Sequence, residues 1–568
     1  MQWGPQRVEE GGWRFNVWAP DREAITLEFE DGRSIPMEPA GEGWLSVTTE
    51  AAAGASYRFR LDPTLAVPDP ASRAQRGGPH GWSVLPDPDG YDWKCTGWRG
   101  RPWHEAVIQE VHAGLLGGFA GVAERLPAMA DLGITAVELM PVAAFAGERG
   151  WGYDGVLPYA VHEAYGTPAD LKALVDRAHE LDLMIFLDVV YNHFGPDGNF
   201  LHAYAEPFFD ATRHTPWGPG IASAREPVQR FFIDNARMWL DEFRFDGLRF
   251  DAIHAIGDSR FLDAMASELR ETVGDRHVHL ILENEANDAG RLAEGRFDAQ
   301  WNDDFHNTVH VLLTDETEGY YAGFAQEPTN KLARCLTEGF VYQGESPPGP
   351  DARPRGSPSG HLPPVRFVSF LQNHDQIGNR ALGERLTVLA ERDKLRAVTA
   401  LLLLAPQIPL IFMGDEAGSR SPFLFFTDFH DELADAVREG RRREFADFRA
   451  FAKAEDRERI PDPNDALTFA ASIPVPGPDA EEWRGLYAEL LQLRHRHIVP
   501  RLAGAKSLGA EVLAEGAVSA RWRMGDGATL TLAINLGRER AQFGDVPGPL
   551  FTLGASGEPG SFVCGIES

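Results

Sequence analysis

Arg249 and Asp251 stand two positions apart in residues 245–256, FDGLRFDAIHAI. The stretch is otherwise apolar, as a buried strand should be. Side chains alternate along a strand, so positions 247, 249 and 251 share one face. Comparable groups end other strand-like segments. Asp188, Asn192 and His193 close LMIFLDVVYNH, Glu283 and Glu285 close VHLILENE, and Asp303 and Asp304 follow RFDAQW. Asn373, His374 and Asp375 close VRFVSFLQNHD. Carboxylates at four or more strand ends suit glycoside hydrolysis. That reaction needs one carboxylate to attack or stabilise the anomeric carbon and one protonated acid for the leaving oxygen. Mutual repulsion raises the pKa of one member, and a guanidinium beside the other keeps it ionised and oriented. Arg249 beside Asp251 has that meaning here.

Simpler roles compete residue by residue. A lone Arg-x-Asp is more often a structural ion pair, Asp188 with His193 can cap a strand–loop junction, and a single His374 can be a core histidine. His193, Asp251, Glu283, His374 and Asp375 could also ligate a divalent ion. No HExxH or paired-His spacing supports that, and Arg249 would repel a cation. What favours sugar chemistry is joint occurrence at successive strand ends.

The elements that must position these groups follow. From about residue 106, apolar segments of five to eight residues alternate with helical patterns, beginning with AVIQEVH and ITAVELMP and ending with IPLIFMGDE. Thr167-Pro-Ala-Asp170 reads as a capped helix start. Eight strands, most separated by helices, predict a closed (β/α)8 TIM barrel, in which functional groups gather at the C-terminal strand ends. A doubly wound sheet is the alternative, but no Gly-rich phosphate loop follows the first strand. Residues 1–90 contain short alternating strands, as in WRFNVWAP and SYRFRLD, and predict an N-terminal β-sandwich. Residues 63–105 read as a Pro/Gly/Asp-rich linker packed over the next domain. The predicted division is 1–90 sandwich, 91–500 barrel with an insertion at 194–226, and 501–568 C-terminal antiparallel β domain. Residues 344–364 read as turn-prone and mobile.

The 568 residues carry 85 acidic and 54 basic side chains, a net charge of -31. That balance disfavours nucleic acid and anionic membranes as partners and is compatible with a neutral ligand. Aromatic residues, 10% of the chain, suit sugar clefts as well as cores. Three scattered cysteines and the absence of an apolar leader in MQWGPQRVEE predict a soluble, cytoplasmic protein.

DVVYNH (188–193), GLRFDAIH (247–254), LENE (282–285) and FLQNHD (370–375) resemble, in order, the four signatures of the α-amylase superfamily of retaining glycosidases, glycoside hydrolase family thirteen. The resemblance implies Asp251 as nucleophile, Glu283 as general acid/base, and Asp375 as the carboxylate that grips the reacting sugar. It implies His193, Arg249 and His374 in the same subsite, with Tyr153 of WGYDG as the platform under the sugar. The N-terminal sandwich, WGYDGVLPYAVHEAYGTPADLK, QWNDDFHNTVHVLLTDETEGYY and SPFLFFTDF resemble the maltooligosyltrehalose trehalohydrolase branch along nearly the whole chain. This branch implies hydrolysis of the α-1,4 bond next to a terminal trehalose. Its substrates would be maltooligosyltrehalose and related α-glucans. Branching or another glucan transfer is the alternative. Ordinary α-amylases place Lys-His where this chain has His254-Ala255, so a different aglycone is expected. His254, Trp301, Asp303 and Asp304 are the candidates for recognising trehalose. The loop after His193 is too short for the usual calcium insertion, so neither metal nor cofactor is expected.

Overall fold

The computed structural model describes residues 3–567 apart from 9–10, 88–89, 216–217, 349–352 and 447. Eight parallel strands close a barrel: β1 (Ile108–Val111), β2 (Ala136–Leu139), β3 (Met184–Val189), β4 (Gly247–Phe250), β5 (His279–Leu282), β6 (Ala299–Trp301), β7 (Phe367–Phe370) and β8 (Ile408–Phe412). These are the eight segments expected. Every residue in them is buried, which explains why they read as continuous apolar runs. Most connections carry a helix, among them Gly118–Leu132, Pro168–Glu180 and Arg392–Leu404. Between β5 and β6 there is only a 3-10 turn, Ala289–Leu292. Thr167 caps its helix through a reciprocal box with Asp170, as its sequence pattern predicts.

Period-two alternation sorts the barrel interior into layers. Ile108, Ala136, Met184, Phe186, Ile281 and Ala299 form an apolar cluster on the inner face. Two residues further along their strands, Glu110, Glu138, Asp188, Arg249 and Trp301 share that face. Gly247 begins the inner face of β4. A Cβ there would meet the His279 carbonyl oxygen at 2.7 Å and the Phe186 ring at 2.8 Å, so only glycine fits.

The N-terminal region forms two antiparallel sheets. Ala66–Val67, Ala74–Arg76 and Trp82–Val84 belong to the second of them, so residues 63–84 are sheet edge and turns rather than linker. The remainder of the expected linker does lie over the barrel. The Tyr91 hydroxyl donates to Asp176 at 2.8 Å and Trp98 Nε1 donates to Asp246 at 2.8 Å. Trp3 joins sandwich to barrel. Its ring meets Trp44 at 4.9 Å and Phe231 at 4.9 Å, and its Nε1 donates to the Pro227 carbonyl at 3.0 Å. The insertion after His193 carries a hairpin, Phe209–Thr215 with Gly218–Ile221. Five antiparallel strands between Lys506 and Glu567 build the C-terminal sheet, which packs against the helix Arg392–Leu404. Among the described residues no helix is long and apolar enough to cross a membrane.

Candidate active site

Arg249 organises the mouth of the barrel. Its side chain is completely buried, and its Nη1 donates to Asp188 Oδ2 at 2.7 Å and to Asp251 Oδ1 at 2.9 Å. Its Nη2 lies 3.0 Å from Glu283 Oε2. One guanidinium therefore gathers carboxylates from the ends of three strands. Strand register makes this possible, since Asp188 and Arg249 are direct neighbours across the β3–β4 ladder. Lysine, a point charge without the planar fork, could not serve all three. The guanidinium carbon sits 4.2 Å above the Trp301 ring, an aromatic face that supports the buried cation.

Asp251 ends β4. Its second carboxylate oxygen accepts from Asn192 Nδ2 at 3.0 Å. The chain then turns through Ala252, which adopts the left-handed conformation at φ 40°. That turn aims the Ala252 N–H at Glu283 Oε2, 2.8 Å away, and the Ile253 N–H at the Glu283 carbonyl. Burial raises the Glu283 pKa and the Asp251 charge adds to this, while Arg249 opposes both. A carboxyl so placed is suited to carry a proton.

Asp375 lies in the first turn of the short helix His374–Gly378, capped by the Asn373 side chain. Burial and the neighbouring Glu283 raise its pKa, against the pull of His374. His374 stacks on Tyr153, with ring centroids 5.0 Å apart, and the Tyr153 hydroxyl donates to Asp188. His193 is buried, its Nε2 2.9 Å from the Tyr153 carbonyl oxygen, and burial holds its pKa down at about 4. The structure thus brings Asp251, Glu283, Asp375, Tyr153, His193, Arg249 and His374 together.

A cleft of about 760 Å³ opens from Glu283, Asp303 and Asp375 toward a wall that includes Tyr320, Phe448 and Arg355. Asp303 accepts from Gln376 Nε2 at 3.1 Å, and burial with Glu283 and Asp375 nearby pushes its pKa up to about 8. His254 stands at the rim, its Nε2 3.8 Å from Glu285.

Two expected sugar contacts are not at the surface of this cleft. Trp301 is 1% exposed, because β6 turns it into the barrel beneath Arg249. Asp304 is also 1% exposed, one helical position on from Asp303 and facing inward. It accepts from Asn287 Nδ2 at 3.0 Å, from the Val341 N–H at 2.8 Å and from Arg355 Nη2 at 2.9 Å. Those bonds pin the described part of 344–364, where Arg355 also exchanges backbone bonds with Gly344 and Glu345, so that part is not a free loop. Residues 349–352 lie outside the described residues.

Sequence reasoning also missed residues. Glu110 and Glu138 reach the inner face from β1 and β2, and Arg355 reaches the cleft from a segment read only as turn-prone. The clue to the two glutamates was available, since each is a charge inside an apolar strand, as Arg249 is. Among the described residues no group of three or more His, Cys, Asp or Glu is disposed to hold a metal ion.

Comparison with known proteins agrees with this geometry. The family model described as "Alpha amylase, catalytic domain" matches residues 78–217, and a domain of unknown function, DUF3459, matches 505–561. The malto-oligosyltrehalose trehalohydrolase of Deinococcus radiodurans is 40% identical over 85% of this chain and 81% of that protein. The enzyme of the same name from Saccharolobus solfataricus is 38% identical over 77% and 79%. Another relative, the 1,4-alpha-glucan branching enzyme GlgB of Bordetella parapertussis, is 35% identical over 72% of this chain and 60% of its own. A solved Salmonella typhimurium structure superposes with a TM-score of 0.95 at 43% identity, covering 100% of this chain and 99% of the other. The chain is a glycosidase of the alpha-amylase superfamily and belongs to the malto-oligosyltrehalose trehalohydrolase family.

Proposed function

We propose that the enzyme hydrolyses the α-1,4 bond next to the terminal trehalose of maltooligosyltrehalose, releasing trehalose and a shortened glucan. Asp251 attacks the anomeric carbon while Glu283 gives its proton to the departing trehalose oxygen. A covalent glycosyl–enzyme intermediate results. Glu283, now a carboxylate, takes a proton from water, which attacks the same carbon and restores Asp251 with net retention. Retention needs the two carboxyl groups only about 5–5.5 Å apart, leaving no room for water between them. The observation that carries the reading is the single Arg249 guanidinium shared by Asp251 and Glu283, which keeps that pair close. Asp375 holds hydroxyls of the reacting sugar against the Tyr153 platform. Asp303 and His254, on the cleft side of Glu283, are the proposed contacts to the trehalose unit. A reducing cytoplasm is the proposed setting, since all three cysteines are free thiols.

Product analysis tests this. Wild-type protein given maltooligosyltrehalose should release trehalose, and Asp251→Ala should release none. New α-1,6 linkages formed from amylose, without trehalose from maltooligosyltrehalose, would sink hydrolysis in favour of branching.

A further inference from the structure

Glu110 and Glu138 are register partners on adjacent strands β1 and β2, both on the inner face of the barrel. Each is buried, at 1% and 0% exposure, and neither lines the cleft. Two carboxyl groups side by side in a dry interior are costly unless their charge is answered or removed. Their surroundings differ. Neither oxygen of Glu138 has a hydrogen-bond partner among the described residues. Glu110 grips one residue at two points: it accepts from the His374 ring at Nδ1, and from the His374 backbone N–H at 3.1 Å. On its other side the same ring presents Nε2 to Asp375 Oδ1 at 3.4 Å.

We infer that Glu110 is a positioning residue for the reaction. It holds the His374 ring as a cation between two carboxylates and thereby fixes His374 and Asp375 against the reacting sugar. The inference rests on the proposed site reading, in which His374 and Asp375 touch the sugar.

Every group facing His374 bears on its charge. Glu110 from β1 and Asp375 from its own turn favour the cation; Arg249 from β4 opposes it. His112 is held at about 4 by burial and therefore contributes no positive charge near neutral pH. Burial, with Asp188 and Glu110 nearby, raises the Glu138 pKa well above the ordinary carboxyl range. Tyr153, Trp151 and Trp301 surround the ring as aromatic walls without charge. Asp188, engaged by Arg249, is raised to about 7 by burial and by the Asp251 charge. Burial disfavours the His374 cation, yet Glu110 and Asp375 outweigh it and lift the ring to about 9. Two carboxylates on one imidazole fix both its orientation and its protonation, and only Glu110 also anchors the backbone.

The test compares Glu110→Gln with wild type across pH on whichever glucan bond the wild type cleaves. Gln keeps an acceptor for Nδ1 but removes the charge, so His374 should lose its proton near or below its ordinary pKa. The variant-to-wild-type ratio of kcat/KM should then fall about twentyfold or more between pH 6 and 8. Glu110→Asp, which keeps the charge, should hold that ratio within about twofold. A Gln ratio constant with pH would reduce Glu110 to a structural role and overturn the inference. Imidazole nitrogen NMR of wild-type protein, with His374 assigned by a His374→Gln variant, needs neither substrate nor a folded Glu110 variant. Two protonated ring nitrogens at pH 7.5 are expected; a neutral ring would overturn the inference, whatever the substrate proves to be.

Discussion

The peptide N–H of Ala252 donates to Oε2 of Glu283 at 2.8 Å, and Ala252 holds a left-handed backbone to deliver it. That conformation strains any residue with a Cβ and excludes β-branched ones most strongly. We expect Ala252→Gly to act like wild type. Ala252→Val should turn this corner differently and lower kcat about tenfold, with KM within about twofold. Steady-state kinetics on both variants decide; equal activity in all three proteins would show that the turn does not set the Glu283 position.

Arg249 should resist its most conservative replacement. Arg249→Lys keeps one positive charge but abandons at least one of three buried carboxylates. A loss of about 100-fold or more in kcat/KM is expected, along with a lower Tm, because an unanswered buried charge costs about 3–5 kcal/mol. Activity within tenfold of wild type would contradict the shared-guanidinium account.

Neighbouring aspartates should separate cleanly. Asp304 accepts from Asn287, Val341 and Arg355 in the core, so Asp304→Ala should cost about 2–4 kcal/mol in urea unfolding. Asp303→Ala, at the cleft, should bring no such loss of stability and should raise KM. The reverse pattern would return Asp304 to the list of sugar contacts.

Asp303 also predicts a pH effect on stability. Its pKa in the fold is about 8, against 3.8 for an ordinary aspartate. The folded chain keeps this proton when the unfolded chain has lost it. The group's contribution is therefore complete below about pH 4 and lost as pH rises through about 8. Asp303→Asn removes this titration, so its Tm should gain on wild type from pH 5 to about pH 8 and level off above it. A constant difference in Tm by calorimetry would refute the raised pKa.

The barrel and its chemistry were legible because the sequence signals are local. Apolar runs of strand length identify β1 to β8, and in a parallel barrel every run ends at the same mouth. Arg249 announced itself as a charge inside such a run. Glu110 and Glu138 gave the same signal, each one residue before its strand end as Arg249 is, but neither run closes on a cluster of polar residues like that of NHD, and they were passed over. Trp301 and Asp304 were misjudged because residue type does not reveal which way a side chain faces at a strand–helix junction. One position separates Asp303 in the cleft from Asp304 in the core. Arg355 was invisible for a further reason. Its partner Asp304 is 51 residues away, and no periodic pattern links a loop to a helix at that distance.

The wedge that Trp3 drives between Trp44 and Phe231 gives the front module a different status from a detachable cassette. Phe231 belongs to the helix that feeds straight into β4, the strand bearing Arg249. Cutting the module away would strip that helix of an indole and of the hydrogen bond it gives the Pro227 carbonyl, and leave greasy rings facing water. A trimmed enzyme would then tend to clump before its sugar chemistry could be assayed.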